Sequence, residues 1–190
     1  VAMMDSWVKQ TGYPVVDVES EPSADGVTIR ASQSRFVYEH IEAPEETDET
    51  LWQVPLRARG PDEAGICSML MGQLEASLDV AGPADAWIKV NPEQTGFFRV
   101  NYSADGWARL RPAIQKQLLP PLDRLGLQND AFALSRAGFL PTTQFLGLAE
   151  AYVDETDATV WDDLSTNLGA LDNLLSDEAF YDRYEAFGRR

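Results

Sequence analysis

The chain has 190 residues, long enough to bury a core as one domain or two small ones, and 44% hydrophobic with 10% aromatic content excludes a disordered chain. Its 31 acidic and 15 basic residues give a formal net charge of −16, which excludes the broad basic surface that nucleic acid or an anionic membrane would need. The single cysteine, Cys67, excludes an internal disulfide and sits in the apolar run ICSMLM, where it reads as a small buried side chain rather than a nucleophile.

In chain order, Asp5 to Gln10 reads as the end of a helix stopped by Gly12-Tyr-Pro14, since glycine accepts a positive φ and proline cannot extend the ladder. The opening VAMMDSW has neither the basic flank nor the apolar centre of a signal peptide, which suits an excised segment, and no apolar run approaches membrane-spanning length. Val16 and Val18, then Val27, Ile29 and Ala31, alternate with polar residues as on half-buried strands, with Asp25-Gly26 as the turn between them. Arg35 to Tyr38 is a shorter candidate strand. The stretch from Glu42 to Thr50 carries five acidic residues; without a D-x-D-x-D-G register it reads as a hydrated loop rather than a calcium site.

Trp52, Val54, Leu56 and Ala58 form the cleanest alternation, and Pro55 within it points to an edge position or a bulge. Ile66 to Met71, continuously apolar, reads as a strand buried on both faces, and Leu74, Ala76, Leu78 and Val80 alternate up to Gly82-Pro83. In WIKVNPEQTGFFRVNY, Trp87 to Tyr102, Ile88 and Val90 alternate with Lys89 and Asn91. A turn follows, then Phe98, Val100 and Tyr102, so the stretch reads as a hairpin. Trp52 and Phe98 are expected in the core. Asn101-Tyr-Ser103 fits a glycosylation acceptor but reads as strand backbone.

From Ser103 the period becomes helical. Ser103 or Asp105 caps a helix with Trp107, Leu110, Ile114 and Leu118 inward, ended by Pro120-Pro121. Asp123 caps a second, with Leu127, Ala131 and Leu134 inward, closed by Gly138. Pro141 opens a third, with Phe145, Leu148, Ala149 and Tyr152 inward. Asp157 opens a fourth along Val160, Leu164, Leu168, Leu171 and Leu175, and a fifth covers about Asp177 to Phe187. Of its aromatic residues, Phe180, Tyr181, Tyr184 and Phe187, some are expected to remain partly exposed. Short connections make these antiparallel neighbours. Asp154, Asp162, Asp163 and Asp172 are the carboxylates available for pairing, but Asp162 and Asp163 point about 100° apart on a helix and cannot grip one ligand together. Arg124 and Asp130, charged residues inside a strongly apolar pattern, are expected in buried ion pairs that fix helix packing.

The wording KVNPEQTGFFRVNYS, together with MDSWVKQTGYPVVDVE, LPPLDRLGLQNDAFALSRAG and VWDDLSTNLGALDNLLSDEAFYDRYEAF, resembles the zinc aminopeptidases of gluzincin type, their puromycin-sensitive branch above all. These stretches cover nearly the whole chain. The family's HExxH and GxMEN motifs are absent: the only histidine, His40, is followed by Ile-Glu-Ala-Pro. The resemblance therefore implies a segment downstream of the catalytic domain, with no catalytic, cofactor-binding or metal residue to carry over and with zinc only in the parent enzyme.

Strand count and resemblance together give an all-β part followed by an all-α part. Residues 1–12 are the tail of a preceding catalytic domain, 13–103 an Ig-like β-sandwich, and 104–190 an antiparallel α-helical array that begins an α-superhelix. Two functions fit. One is a non-catalytic segment of a cytoplasmic aminopeptidase, whose partner is the rest of the parent polypeptide and which meets peptide substrate only through that parent, with neither nucleic acid nor membrane as partner. The alternative is a stand-alone module that binds a peptide or protein.

Overall fold

The computed structural model describes residues 2–38, 49–61 and 65–189. His40 and most of the acidic stretch from Glu42 lie outside the described residues. The first helix, α1 (Ala2–Val8), ends before Gly12, whose φ of 83° turns the chain into the first strand as the sequence anticipates. β1 (Pro14–Ser23) and β2 (Gly26–Arg35) form an antiparallel hairpin closed by Ala24-Asp25, one residue earlier than the turn read from sequence. Gly26 opens β2 at φ 155°, and a β-carbon there would fall 2.2 Å from the Val80 carbonyl, so no other residue fits without a shift. The segment after Arg35 is not a further strand; Phe36 caps the hairpin by donating its amide to the Tyr13 carbonyl at 2.9 Å.

Two sheets follow from the pairing. One has the order β5-β2-β1-β7, with β5 spanning Glu75–Ala81 and β7 Arg99–Tyr102. The other has the order β4-β3-β6, with β3 at Val54–Arg59, β4 at Cys67–Met71 and β6 at Lys89–Val90. Val15, Val18, Ile29, Trp52, Leu56, Val90, Phe98 and Val100 are all in one continuous core. Buried Gln33 links β2 to the segment entering β3: its Nε2 donates to the carbonyls of Trp52 and Gln73, and its Oε1 accepts from the Trp52 amide. β6 pairs with β3 only at Ala58 and Arg59, so Pro55 lies beyond its reach, as an edge-tolerated proline should.

Two strand readings are corrected. β4 is an edge strand whose Ser68 and Leu70 face outward, Leu70 at 53% exposure; it is not buried on both faces. Cys67 is accordingly half-buried. The stretch from Trp87 to Tyr102 is not a hairpin either. β6 joins the three-stranded sheet, whereas β7 crosses over to pair in parallel with β1, Val15 opposite Arg99 and Val18 opposite Tyr102. The connection is a 3-10 turn at Pro92–Gln94.

The helices rest on that crossover. α2 (Ala104–Gln115) starts at Ser103, whose hydroxyl accepts from the Gly106 amide, and packs against β1 and β7. Leu118 is exposed at 56% and Leu119 is the buried residue instead, because the helix ends at Gln115 and Gln117 turns the backbone to φ 51°. Pro120-Pro121 begins the next helix rather than ending the previous one: α3 (Pro121–Ala137) has Pro120 as its N-cap, and Asp123 lies inside the first turn. Gly138 closes α3 at φ 85° as expected. α4 (Thr142–Ala149) and α5 (Ala158–Leu175) follow, α5 capped by Asp157, which accepts from the amides of Thr159 and Val160. α6 (Tyr181–Gly188) begins four residues later than the pattern suggests.

Candidate functional site

The most concentrated chemistry lies where the strands meet the helices, around the crossover from β6 to β7. Lys89 is fully buried there. Its Nζ donates to the carbonyls of Val90 at 2.6 Å and Asn91 at 3.1 Å. Burial lowers its pKa to about 8, against the opposing pull of the Asp123 and Asp130 carboxylates. The sequence pattern put Lys89 on a solvent face, and this is the residue it missed most completely.

Both carboxylates come from α3. Asp123, wholly inaccessible, accepts the Glu93 amide at 2.6 Å and lies 3.6 Å from an Arg59 guanidinium nitrogen. Asp130 accepts from Arg99 at 3.1 Å and from the Val100 amide at 3.2 Å. Burial raises its pKa, and Arg99 opposes that rise. The Tyr102 hydroxyl accepts the Val90 amide at 2.8 Å, and burial pushes its pKa well up. Gly126, one turn from both acids, lets the loop approach: a β-carbon there would overlap the Gln94 side chain at 1.8 Å. Asn91 clamps the loop on itself, its Oδ1 accepting from the Gly96 amide and its Nδ2 donating to the Gly96 carbonyl.

Arg124 and Asp130 are both buried in ion pairs, as their position in an apolar pattern suggests, but with different partners. Arg124 pairs with Glu155, in the connection between the 3-10 turn at Glu150–Tyr152 and α5. The Tyr152 hydroxyl donates to the Arg124 carbonyl, and Gln128 to that of Val160. Burial disfavours ionised Glu155, but Arg124 and the amides of Asp157 and Thr156 outweigh it and lower its pKa.

The remaining carboxylates do not converge. Asp163 accepts from Asn167, Asp172 from the Tyr181 hydroxyl, and Asp162 and Asp154 are exposed. Asn101 donates to Asp17 within the paired strands. Among the described residues, no three His, Cys, Asp or Glu side chains are grouped to hold a metal ion, and no helix is long and apolar enough to cross a membrane. In the junction itself, Lys89, Asp123, Asp130 and Tyr102 are each committed to backbone groups of the crossover. This arrangement holds the backbone of the crossover in place.

Residues 87–190, which contain the crossover and all the helices after it, match the family model described as ERAP1-like C-terminal domain. The chain is similar to the puromycin-sensitive aminopeptidase of Caenorhabditis elegans, at 30% identity over 92% of this chain and 18% of that protein. It is similar to aminopeptidase 2 of Candida albicans at 30% identity, over 100% of this chain and 20% of that protein. The alanine/arginine aminopeptidase of Saccharomyces cerevisiae is 32% identical over 90% of this chain and 19% of its own length. The chain thus spans about a fifth of the length of these relatives.

Proposed function

The chain belongs to the ERAP1-like C-terminal domain family, and from that premise we propose that it is a non-catalytic segment of a zinc aminopeptidase of the puromycin-sensitive type. In this reading the parent polypeptide removes N-terminal residues from peptides in the cytoplasm. Residues 13–103 are an Ig-like sandwich that spaces the catalytic domain, to which residues 1–12 belong, from the helices. Residues 104–190 begin a superhelix that walls the chamber over the active site.

One observation carries this reading: the similarity runs through nearly all of this chain and yet occupies only a fifth of each aminopeptidase. The donor set agrees with it. Zinc bound for catalysis takes three protein ligands, usually histidines and a carboxylate, and this chain has one histidine and one cysteine. The residues present do not fit the metal, so in this reading zinc and its activated water belong elsewhere in the parent.

The test is direct. The purified chain, dialysed against a chelator and then given zinc, is assayed with an aminoacyl fluorogenic substrate, and its metal content is measured. No turnover and background zinc are expected; stoichiometric zinc with turnover would overturn the proposal. Reading the coding sequence upstream of Val1 separates it from a stand-alone binding module. An in-frame HExxH supports the parent enzyme, and a start codon directly upstream supports the module.

A further inference from the structure

Between the α2–α3 connection and the segment entering α5 lies a cleft of about 480 Å3, with Arg59, the last residue of β3, on its wall. The two connections are clasped together. Gln117 donates through Nε2 to the Asp154 carbonyl at 2.6 Å, and its Oε1 accepts from the Thr156 hydroxyl at 3.5 Å. Its φ of 51° is left-handed, a conformation that persists at a glutamine only where the surroundings impose it. The turn made there sends Leu118 outward, 56% exposed, and with Pro120 and Pro121 it gives the cleft an apolar side.

The ionisable side chains lining the cleft are Arg59, Arg124 and Asp157. Arg124 is spent, since Nε, Nη1 and Nη2 all bond to Glu155 or to the Leu119 carbonyl. Arg59 is not. Its Nε is buried without a hydrogen-bond partner, and its Nη2 stands 3.6 Å from the Asp123 carboxylate, beyond hydrogen-bonding range. In a chain of 31 acidic and 15 basic residues, a guanidinium so placed and so little used points to an absent anionic group. Asp157 caps α5 through Oδ1, which accepts from Thr159 and Val160, and its other oxygen takes no part in the cap. One cation and one anion with unused capacity thus share an apolar cleft. A simple anion is repelled by Asp157 and a simple cation by Arg59, whereas a ligand carrying both charges is attracted by each.

We propose that this cleft binds a free α-amino acid with an apolar side chain. Its carboxylate meets the terminal nitrogens of Arg59, its ammonium meets Asp157, and its side chain lies along Leu118 and the two prolines. In a peptide the terminal charges sit on different residues, so a free amino acid is the ligand that presents both from one carbon. Asp123 orients Arg59 from behind, and the Gln117 clasp fixes the apolar side, so the site is formed before the ligand arrives. Such a ligand is of the kind an aminopeptidase releases, although the chemistry of the cleft selects it without that reading.

Calorimetric titration of the 190-residue chain with L-leucine at neutral pH is expected to show one site with a Kd of about 1 mM or tighter. N-acetyl-L-leucine lacks the ammonium and L-leucinamide lacks the carboxylate, and each is expected to bind about tenfold more weakly than leucine. Arg59→Lys keeps a positive charge beside Asp123 but loses the planar fork, and is expected to weaken leucine binding about tenfold. Leu118→Ala, at an exposed position, is expected to weaken leucine about threefold and to leave glycine binding unchanged. The analogue comparison uses the natural chain, so it decides the matter even where Arg59→Lys lowers the melting temperature. N-acetyl-L-leucine or L-leucinamide binding as tightly as leucine would overturn the proposal. So would leucine binding that both substitutions leave intact, or no saturable binding up to about 50 mM leucine.

Discussion

Arg124 and Glu155 stand 31 residues apart in sequence and meet through two parallel hydrogen bonds, Nε to Oε2 and Nη2 to Oε1, each 2.6 Å long. Both side chains are almost wholly buried, at 4% and 1% exposure. The pair fastens α3 to the segment entering α5, and the same Glu155 accepts two further amides. Removing one partner leaves the other as a buried, uncompensated charge. Glu155→Ala should therefore cost about 3–5 kcal/mol in urea unfolding. The double variant Glu155→Ala, Arg124→Met should recover part of that loss. A double variant as unstable as the sum of its single changes would show that the two residues are not coupled.

Lys89 makes stability depend on pH in a defined direction. Its folded pKa, about 8, lies below the ordinary 10.5 that the unfolded chain would show. Between these values the native state holds fewer protons than the unfolded state, so stability rises with pH through the window. Above about pH 10 the buried Tyr102 hydroxyl, whose pKa is raised, opposes this. Unfolding free energies at pH 7.5 and 9.5 should increase in the natural chain relative to Lys89→Met, in which that increment is absent. Equal pH slopes in the two proteins would remove Lys89 as the cause.

Phe98 is 5% exposed in the core shared by the two sheets, and its ring packs against Gly96, where a β-carbon would lie 2.2 Å from it. Phe98→Ala should cost about 3–5 kcal/mol by denaturant titration. Phe97→Ala, one residue away and outward, should change the stability of this chain by less than about 0.5 kcal/mol.

At the other end, α6 shows the partial cover expected from the sequence. Tyr184 is buried and donates to the Leu168 carbonyl, its pKa pushed up to about 12, whereas Phe180 is 49% exposed. Amides of 181–188 should exchange fastest among α2 to α6. Protection equal to that of α3 would show that α6 is fully supported by this chain alone.

What could be read from the sequence was local. Ser103, Asp157 and Gly138 act within four residues of themselves, and each was legible as a helix boundary. The alternation of Val27, Ile29 and Ala31 also survives folding intact. Long-range partners were invisible. Nothing beside Lys89 shows that α3, more than thirty residues on, supplies the acids that let a lysine be buried. β6 and β7 look like the arms of a hairpin because each alternates, and only β1 and β3 decide that they belong to different sheets. In Ile66 to Met71 every outward position but Ser68 is apolar, so the period of two disappears from composition although β4 obeys it. Pro120-Pro121 was ambiguous for another reason, since proline is as acceptable in a first helical turn as it is after a last one.

The parallel pairing of β1 with β7 has a consequence for how the chain is made. Synthesis runs from the N-terminus, so β1 emerges about eighty residues before the strand that completes its far edge, the span separating Val15 from Arg99. Until then that edge offers unpaired backbone groups to any extended chain nearby. α2 and α3 rest on β7 and cannot dock before it is in place. The closing of the long β1–β7 loop is thus the event on which the helical half waits, and slow non-local pairing of this kind sets the pace of folding. A nascent chain that has left the ribosome only as far as Ala81 would hold a β1–β2–β5 sheet with its β1 edge open, the form most exposed to misassembly.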